Sequence, residues 1–122
     1  RLSLVGSEMC IRDSYGMAKR ALARAVRHRA PSWAEAGVRL NAVAPGATQT
    51  ALFQATLDDP EIGPFVADFP IPVGRRGTVD DIAYLIRFLC GPESSWITGE
   101  MLAVDGGHHI RRGPNYNLLF EP

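Results

Sequence analysis

The sequence predicts an α/β fold in which helices alternate with short strands, as in one half of a doubly wound parallel sheet. Two apolar stretches, VRLNAVAP at 38–45 and MLAVDGG at 101–107, have the near-continuous hydrophobic character of strands that are buried on both faces. A segment with helical periodicity precedes each of them. Because helix, strand, helix, strand supplies only half of such a sheet, we expect an incomplete domain.

Composition bounds the classes of function. A chain of 122 residues with 46% hydrophobic and 21% charged residues is typical of one globular domain. Thirteen basic residues balance thirteen acidic ones, so we expect neither a nucleic acid nor a membrane as partner. The apolar runs are too short for a membrane span, and the start shows no signal-peptide pattern. Two cysteines are too few for a disulfide framework or a metal site, so we predict a cytoplasmic protein without metal.

Residues 1–14 have no periodicity that continues into the following segment. The ten residues Leu4 to Asp13 match one reading frame of a transposase-type sequencing adapter, and Ser14 is one of the two residues that the last partial codon allows. We therefore expect residues 1–14 to be a non-native, adapter-derived segment, which is excluded from reasoning about the fold. The alternative is a genuine irregular N-terminal arm.

The first predicted helix covers residues 16–36, where apolar residues recur at spacings of three and four. Pro31 can break or kink this helix, with Ser32 then capping a final turn. Gly37 fits the position after a helix end, where the backbone turns left-handed. The strand at 38–45 follows directly.

Two short helices are predicted after this strand, at 49–57 and 61–68. The clearest helix of the chain covers 78–91, with Thr78 as N-cap and Asp81 three residues on. Its apolar stripe consists of Ile82, Leu85, Ile86 and Leu89. The second strand, 101–107, ends in a glycine turn.

Tyr15 and Lys19 are spaced so that they share one face of a helix. A lysine ammonium beside a phenol favours the charged tyrosinate. Such a tyrosine can give or take a proton near neutral pH, as acid/base chemistry on a carbonyl compound or alcohol requires. The spacing alone is also compatible with an ordinary surface pair.

Three motifs, which follow one another in the sequence, favour a catalytic interpretation of the spacing between Tyr15 and Lys19. YGMAK, VRLNAVAPGATQT and ITGEMLAVDGG together resemble the C-terminal half of the short-chain dehydrogenase/reductase family, across about residues 15–107. The resemblance implies that residues 15–122 are the catalytic and C-terminal half of a Rossmann-like, doubly wound parallel sheet. It also implies hydride transfer between NAD or NADP and a small-molecule carbonyl compound or alcohol, and a homo-oligomeric parent enzyme.

The resemblance assigns roles to individual residues. Tyr15 would be the catalytic acid/base, and Lys19 would favour its charged form and hydrogen-bond the nicotinamide ribose, so both would also touch the cofactor. Pro45 and Gly46 would begin the loop that closes over the nicotinamide, where a glycine lets the backbone come close. The other predicted cofactor contacts are Thr48, through its backbone to the carboxamide, and Thr50, to the carboxamide or the pyrophosphate.

Two longer stretches, YGMAKRALARAVRHRAPSWAEAGVRLNAVAPGATQTALFQA and GRRGTVDDIAYLIRFL, resemble the bacterial 3α-hydroxysteroid dehydrogenase/carbonyl reductase group of that family. This implies a 3-keto or 3-hydroxy steroid, or a small carbonyl compound, as substrate. Apolar residues of the loop after the first strand would then line a substrate lid: Leu52, Phe53, Leu57, Phe65, Val66 and Phe69. The alternative is ordinary packing of two short helices.

Other interpretations stay open. The near alternative is another reductase of the family, such as a 3-oxoacyl-carrier-protein reductase or a sugar-alcohol dehydrogenase. The alternative of another class is a catalytically silent half-domain that acts only in binding. The family's glycine-rich phosphate turn does not occur before Tyr15, and Ser3 is rejected as the family's catalytic serine because it falls in the adapter-like segment. We therefore expect no turnover from the chain alone.

The remaining conspicuous side chains receive structural interpretations. His108 and His109 are predicted to be exposed turn residues, because no third metal ligand lies at a suitable spacing. Cys90 is predicted to be a core thiol. Arg75 and Arg76 are assigned to a solvated loop, Trp33 and Trp96 to packing, and the apolar end of the tail RRGPNYNLLFEP to a subunit contact.

Overall fold

The computed structural model describes residues 2–111, with side chains from Ser14 to Ile110. The predicted subunit contact of the C-terminal tail lies outside the described residues. The elements in chain order are α1 (Leu2–Glu35), β1 (Ala42–Pro45), α2 (Ala51–Asp58), α3 (Gly63–Ala67), α4 (Val79–Cys90), a 3-10 turn (Pro92–Ser94), β2 (Met101–Val104) and α5 (His108–Arg111).

β1 and β2 form a parallel pair, with Ala42 opposite Met101 and Pro45 opposite Val104. The predicted parallel α/β arrangement is therefore confirmed for this part of the chain. Both strands are shorter than predicted. At the start of β1, the Asn41 side chain bridges to the partner segment, donating to Ile97 O at 2.9 Å and accepting from Glu100 N at 3.1 Å. The side chain thus adds to the backbone hydrogen bonds on either side of it, from Ala42 N to Glu100 O and from Gly99 N to Leu40 O.

The strands are half-buried, which corrects the prediction that both of their faces are covered. Each strand has one neighbour in the described residues, so each is an edge strand. α4 packs against both strands. On α1 the buried residues are Ala23, Val26 and Ala30, which recur at spacings of three and four and form the apolar stripe.

α1 runs from Leu2 to Glu35 without interruption, which contradicts the alternative of an irregular N-terminal arm and the break, though not the kink, that was considered at Pro31. Residues 2–14 continue the helix instead of forming an irregular arm; their adapter origin stays a prediction. Pro31 does not end the helix either. The Ser32 hydroxyl donates back to Arg29 O at 2.9 Å within the helix instead of capping a new turn.

The end of α1 is a Schellman motif, as the glycine at 37 predicted. Gly37 has a φ of 77°, its N–H donates to Ala34 O at 2.9 Å, and Val38 N–H donates to Trp33 O at 2.9 Å. These two bonds satisfy carbonyls that a helix end would leave without partners.

α4 begins with the predicted capping box, in which Thr78 Oγ1 accepts from Asp81 N and Asp81 accepts from Thr78 N. Ile82, Leu85 and Leu89 are half-buried, but Ile86 is 47% exposed. Cys90 is also exposed, so the predicted core thiol is wrong. One residue past Leu89 is a 100° rotation around a helix, which moves Cys90 off the apolar stripe.

Neither tryptophan is a buried packing anchor in the described residues. Trp33 is 44% exposed and Trp96 is 98% exposed. Trp96 lies between the 3-10 turn and β2. The buried side chain near it is that of Ser94, which has no exposed area. An indole ring that reaches into solvent at this position contributes little to the core.

Arg39 connects the start of β1 to the end of α4. Its Nη1 donates to Ser94 O at 2.8 Å and to Ser94 Oγ at 2.9 Å, and its Nη2 donates to Leu89 O at 2.8 Å and to Gly91 O at 3.3 Å. A guanidinium has five donors in a fixed plane and can satisfy several carbonyls at once. A cation at this place also complements the negative end of the helix dipole.

No helix within the described residues is long and apolar enough to cross a membrane. The cytoplasmic location stays a prediction.

Candidate active site

Tyr15 and Lys19 contact each other on one turn of α1. The Lys19 Nζ lies 5.3 Å from the centre of the Tyr15 ring. The Tyr15 side chain is 66% exposed, and Lys19 is exposed as well. The spacing therefore brings phenol and ammonium together on an open surface. What the pair does chemically stays a prediction.

The loop that follows β1 is held by the segment around Gly77. Gln49 N donates to Gly77 O at 2.8 Å, and Gly77 N donates to Ala47 O at 3.0 Å. Thr48 lies opposite Gly77 in a parallel bridge. In a parallel bridge the two flanking residues make the hydrogen bonds, so the N–H and C=O of Thr48 itself point away from Gly77. That orientation suits a backbone contact with a ligand.

The structure gives a reason for the glycine at position 46 that the sequence did not reveal. A Cβ at this position would lie 2.5 Å from Asp105 Cβ and 2.6 Å from Asp105 Cα. The residue after β1 therefore packs directly on the backbone of the residue after β2. Close approach to Asp105 therefore requires a glycine here.

Gly46→Ala should destabilise the chain by about 1–3 kcal/mol, because the new methyl group must displace backbone atoms and not a flexible side chain. Urea unfolding monitored by circular dichroism measures the change. Gly16→Ala is the matched control, since a Cβ there meets only the far end of Arg20 at 3.8 Å. An unchanged unfolding midpoint for Gly46→Ala would contradict the close packing of the two loops.

Thr50 is the N-cap of α2, and its Oγ1 accepts from Phe53 N at 3.1 Å. Pro45 is the last residue of β1 and is exposed. The predicted cofactor residues at 45–50 thus lie on one loop at the carboxyl end of β1, where ligands of open α/β sheets bind. Among the described residues, no hydrogen bond links Tyr15 or Lys19 to this loop.

Two pockets flank the loop. The first is a cleft of about 190 Å³ between the loop and the end of β2, lined by Ala47, Val73, Arg75, Gly77, Asp81, Val104, Asp105 and Gly106. The second is an open groove of about 420 Å³ along α2, lined by Gln49, Thr50, Ala51, Phe53, Gln54, Leu57 and Arg76. The Arg76 guanidinium lies 5.4 Å from the Phe53 ring centre at this groove.

The predicted lid residues divide into two sets. Leu52 and Phe65 are 80% and 73% exposed. The half-buried members are Phe53, Leu57, Val66 and Phe69. α2 and α3 pack against each other, so packing accounts for part of the apolar character, and the exposed members remain candidates for covering a substrate.

His108 is 7% exposed, so the prediction that it is an exposed turn residue is wrong. His109 is half-buried, and its Nδ1 lies 2.9 Å from Asp105 Oδ2. Sequence reasoning missed Asp105, although a carboxylate between a buried strand and two glycines is a usable signal. Burial raises the pKa of Asp105, but hydrogen bonds from the His109 backbone and side chain and from Gly107 N outweigh it and lower the pKa below its ordinary value.

Arg75 is exposed as predicted, but it is not free in solvent. Its Nη1 and Nη2 donate to the two Asp81 oxygens at 2.7 and 2.9 Å. The hydrogen bond to Asp81 raises the pKa of Arg75, and Arg75 together with Thr78 holds the pKa of Asp81 well below its ordinary value. No group of three or more metal-ligating side chains occurs among the residues that the structure describes.

Comparison with known proteins gives the family. The family model of enoyl-(acyl carrier protein) reductases matches residues 2–109. A 3-alpha-hydroxysteroid dehydrogenase/carbonyl reductase of Comamonas testosteroni is 49% identical over 94 residues, which cover 77% of this chain and 37% of that protein.

Solved structures agree with this. The 3-alpha-hydroxysteroid dehydrogenase of Pseudomonas sp. B-0831, in complex with NADH, aligns with a TM-score of 0.70 and 41% identity over 76% of this chain and 37% of that one. A protein of Agrobacterium tumefaciens assigned as a 2-deoxy-d-gluconate 3-dehydrogenase, with bound NADP, gives 0.71 and 35% over 80% and 39%. The chain spans less than half the length of these relatives, and it belongs to the short-chain dehydrogenase/reductase family of NAD(P)-dependent oxidoreductases.

Proposed function

We propose that this chain is the catalytic and C-terminal half of an oxidoreductase that moves a hydride between NAD or NADP and a carbonyl compound or secondary alcohol. A 3-keto or 3-hydroxy steroid is the proposed substrate. The observation that carries the proposal is the exposed contact between Tyr15 and Lys19, in a chain that is 49% identical to a hydroxysteroid dehydrogenase/carbonyl reductase. Substrates differ widely within one fold, so the substrate needs its own test.

Tyr15 supplies the proton chemistry in this proposal. Its phenol donates a proton to the substrate oxygen in the reduction and accepts one from the hydroxyl group in the reverse direction. The Lys19 ammonium, 5.3 Å from the ring centre, stabilises the negative charge that the phenol oxygen gains when it gives up the proton. Both side chains are exposed and can reach a ligand laid over this turn of α1.

The loop after β1 holds part of the cofactor. The Thr48 backbone points away from Gly77 and fits a carboxamide, which needs both a donor and an acceptor. The Thr50 hydroxyl accepts from Phe53 N and keeps its own hydrogen for a carboxamide or pyrophosphate oxygen. A nicotinamide bound there would supply the hydride. The family's glycine-rich turn, which holds the pyrophosphate, does not occur upstream of Tyr15 in this sequence.

The 122-residue chain alone is therefore expected to show no steady-state turnover. The matched experiment is a chimera in which residues 15–122 replace the corresponding part of the Comamonas testosteroni enzyme. The chimera should oxidise a 3-hydroxy steroid and reduce NAD or NADP, followed by absorbance at the nicotinamide band. Turnover by the pure chain would contradict the need for the missing half.

An inactive chimera that binds NADH would contradict the proposed catalytic role of Tyr15 and Lys19. It would favour the alternative of a half-domain that acts only in binding. Fluorescence titration with NADH measures the binding step separately from turnover, so a folding failure and a chemical failure give different results.

The second candidate is a reductase of 3-oxoacyl thioesters, and the family description favours an acyl thioester in so far as it names enzymes that act on acyl-carrier-protein substrates. A reductase of 3-oxoacyl thioesters would use the same tyrosine and lysine, with a longer acyl chain along the groove beside α2. The chimera should be offered a steroid and a 3-oxoacyl thioester at equal concentration. A higher kcat/KM for the thioester would replace the steroid in this proposal.

A further inference from the structure

The turn Asp105–His109 joins two parts of the molecule that the proposed function uses. On one side, Asp105 packs against Gly46, the first residue of the loop after β1. On the other side, Gly106 O accepts from Val73 N at 3.1 Å, where the chain leaves the segment of residues 51–70. Residues 51–70, which contain α2 and α3 and end at Pro70, form the lid segment.

His108 makes the most buried contact between this turn and the lid segment. Its Nδ1 lies 2.9 Å from Pro70 O, and its ring stacks on Phe69 with 5.1 Å between centroids and 28° between planes. A carbonyl oxygen can only accept, so the hydrogen of this bond must be on Nδ1 of His108. Of the described residues, the only buried polar or charged ones are Ser94 and His108.

The turn that presents His108 has a fixed shape. The Asp105 carboxylate accepts from Gly107 N at 3.0 Å and from His109 N at 2.8 Å. Gly106 and Gly107 have φ angles of 63° and 86°, and a Cβ on Gly106 would lie 2.6 Å from Ile71 Cγ2. The imidazole is thus held by a rigid, tightly packed element at the end of a strand.

We propose that His108 is a positioning residue that anchors the exit of the lid segment to the sheet and thereby sets how the lid closes over the substrate. The interpretation of residues 51–70 as a lid rests on the proposed function, whereas the anchoring does not. The lid segment carries strongly exposed apolar side chains at Leu52 and Phe65, and at its exit the hydrogen bond and the ring stack attach it to the buried His108.

Amide hydrogen exchange of the full chain tests the anchoring without any activity. His108→Ala should speed exchange at residues 51–67 about tenfold, as loss of a buried hydrogen bond and a ring contact implies, and leave the second half of α4 unchanged. His108→Asn places an amide donor near the position of Nδ1 and should restore much of the protection. His28→Ala, at the exposed histidine of α1, is the control and should change neither region.

Unchanged exchange at 51–67 in His108→Ala would overturn the proposal. An equal rise in α4 would overturn it as well, because it would show a general loss of stability. A failure of His108→Asn to restore protection would exclude the hydrogen bond to Pro70 O as the anchor.

The chimera adds a readout that a purely structural role would not move. His108→Ala should raise KM for a steroid about tenfold and change kcat little. The KM for a small ketone should change less, because a small ketone contacts less of the lid segment than a steroid does. Equal changes for both substrates would overturn the role in substrate positioning. Inactivity of every chimera, the unsubstituted one included, would count against the proposed function, and the exchange experiment would still decide the anchoring.

Discussion

Tyr15→Phe in the chimera should lower kcat by about 100-fold to 10,000-fold, the contribution that a positioned acid/base group makes to a proton transfer. The substitution removes one oxygen atom and keeps the ring beside Lys19 Nζ, so α1 and its packing should not change. KM should change little, because the lost interaction belongs to the transition state. Steady-state kinetics with a secondary alcohol and NAD or NADP measure both constants.

Tyr84→Phe is the matched control for this prediction. Tyr84 lies on α4 and is 63% exposed, against 66% for Tyr15, so the two substitutions remove the same atom from similar environments. The control should keep full activity. Equal losses for both variants, or a Tyr15→Phe variant that retains more than about a tenth of the rate, would remove Tyr15 from the mechanism.

Arg39→Met should lower the free energy of unfolding by about 3 kcal/mol. The substitution keeps a long unbranched side chain but removes the donors that Ser94 O, Ser94 Oγ and Leu89 O accept from. Ser94 O and Leu89 O keep a second donor, Ile97 N and Ser94 Oγ, so the expected loss is that of several part-buried hydrogen bonds from a charged donor, each worth more than a neutral one. Urea unfolding of the full chain measures it.

Arg24→Met on the exposed side of α1 controls for the loss of one positive charge and should change stability by less than about 0.5 kcal/mol. Arg39→Lys separates charge from geometry, since an ammonium lacks the planar set of donors with which the guanidinium reaches Ser94 O and Leu89 O from two nitrogens. It should lose more than half of what Arg39→Met loses. Full stability in Arg39→Lys would show that charge alone is required.

Local signals predicted the helices and their ends well. The capping box at Thr78 and the left-handed Gly37 depend on residues within four positions of each other, and both are confirmed. Pro31 does not break α1, because a proline removes only one backbone hydrogen bond and Ala30, just before it, is buried with 3% exposure. The predicted start of β1 was too early because, at Asn41, a side chain makes the hydrogen bonds to Ile97 O and Glu100 N.

Burial was predicted less well, since it depends on what covers a residue. His108 was predicted to be exposed, and Cys90 and Trp96 were predicted to pack in the interior. In the structure His108 is buried, and Cys90 and Trp96 are exposed. The motif residues at 45–50 were assigned from the resemblance to the family, but the contact of Gly46 with Asp105 joins residues that follow two different strands and leaves no mark in local sequence. The role of the Tyr15–Lys19 pair remains a prediction for the kinetics above.

The parallel pairing of β1 with β2 also dictates an order of folding. Asn41 and Glu100, hydrogen-bonded at the start of the pair, are 59 positions apart in the chain. Helical turns form within about a microsecond, whereas contacts of this sequence separation wait for a long loop to close against its entropy. We therefore expect the turn of α1 that carries Tyr15 and Lys19 to form before the strand pair, and the loop at 45–50, which depends on that pair and on Gly77, to form with or after the pair.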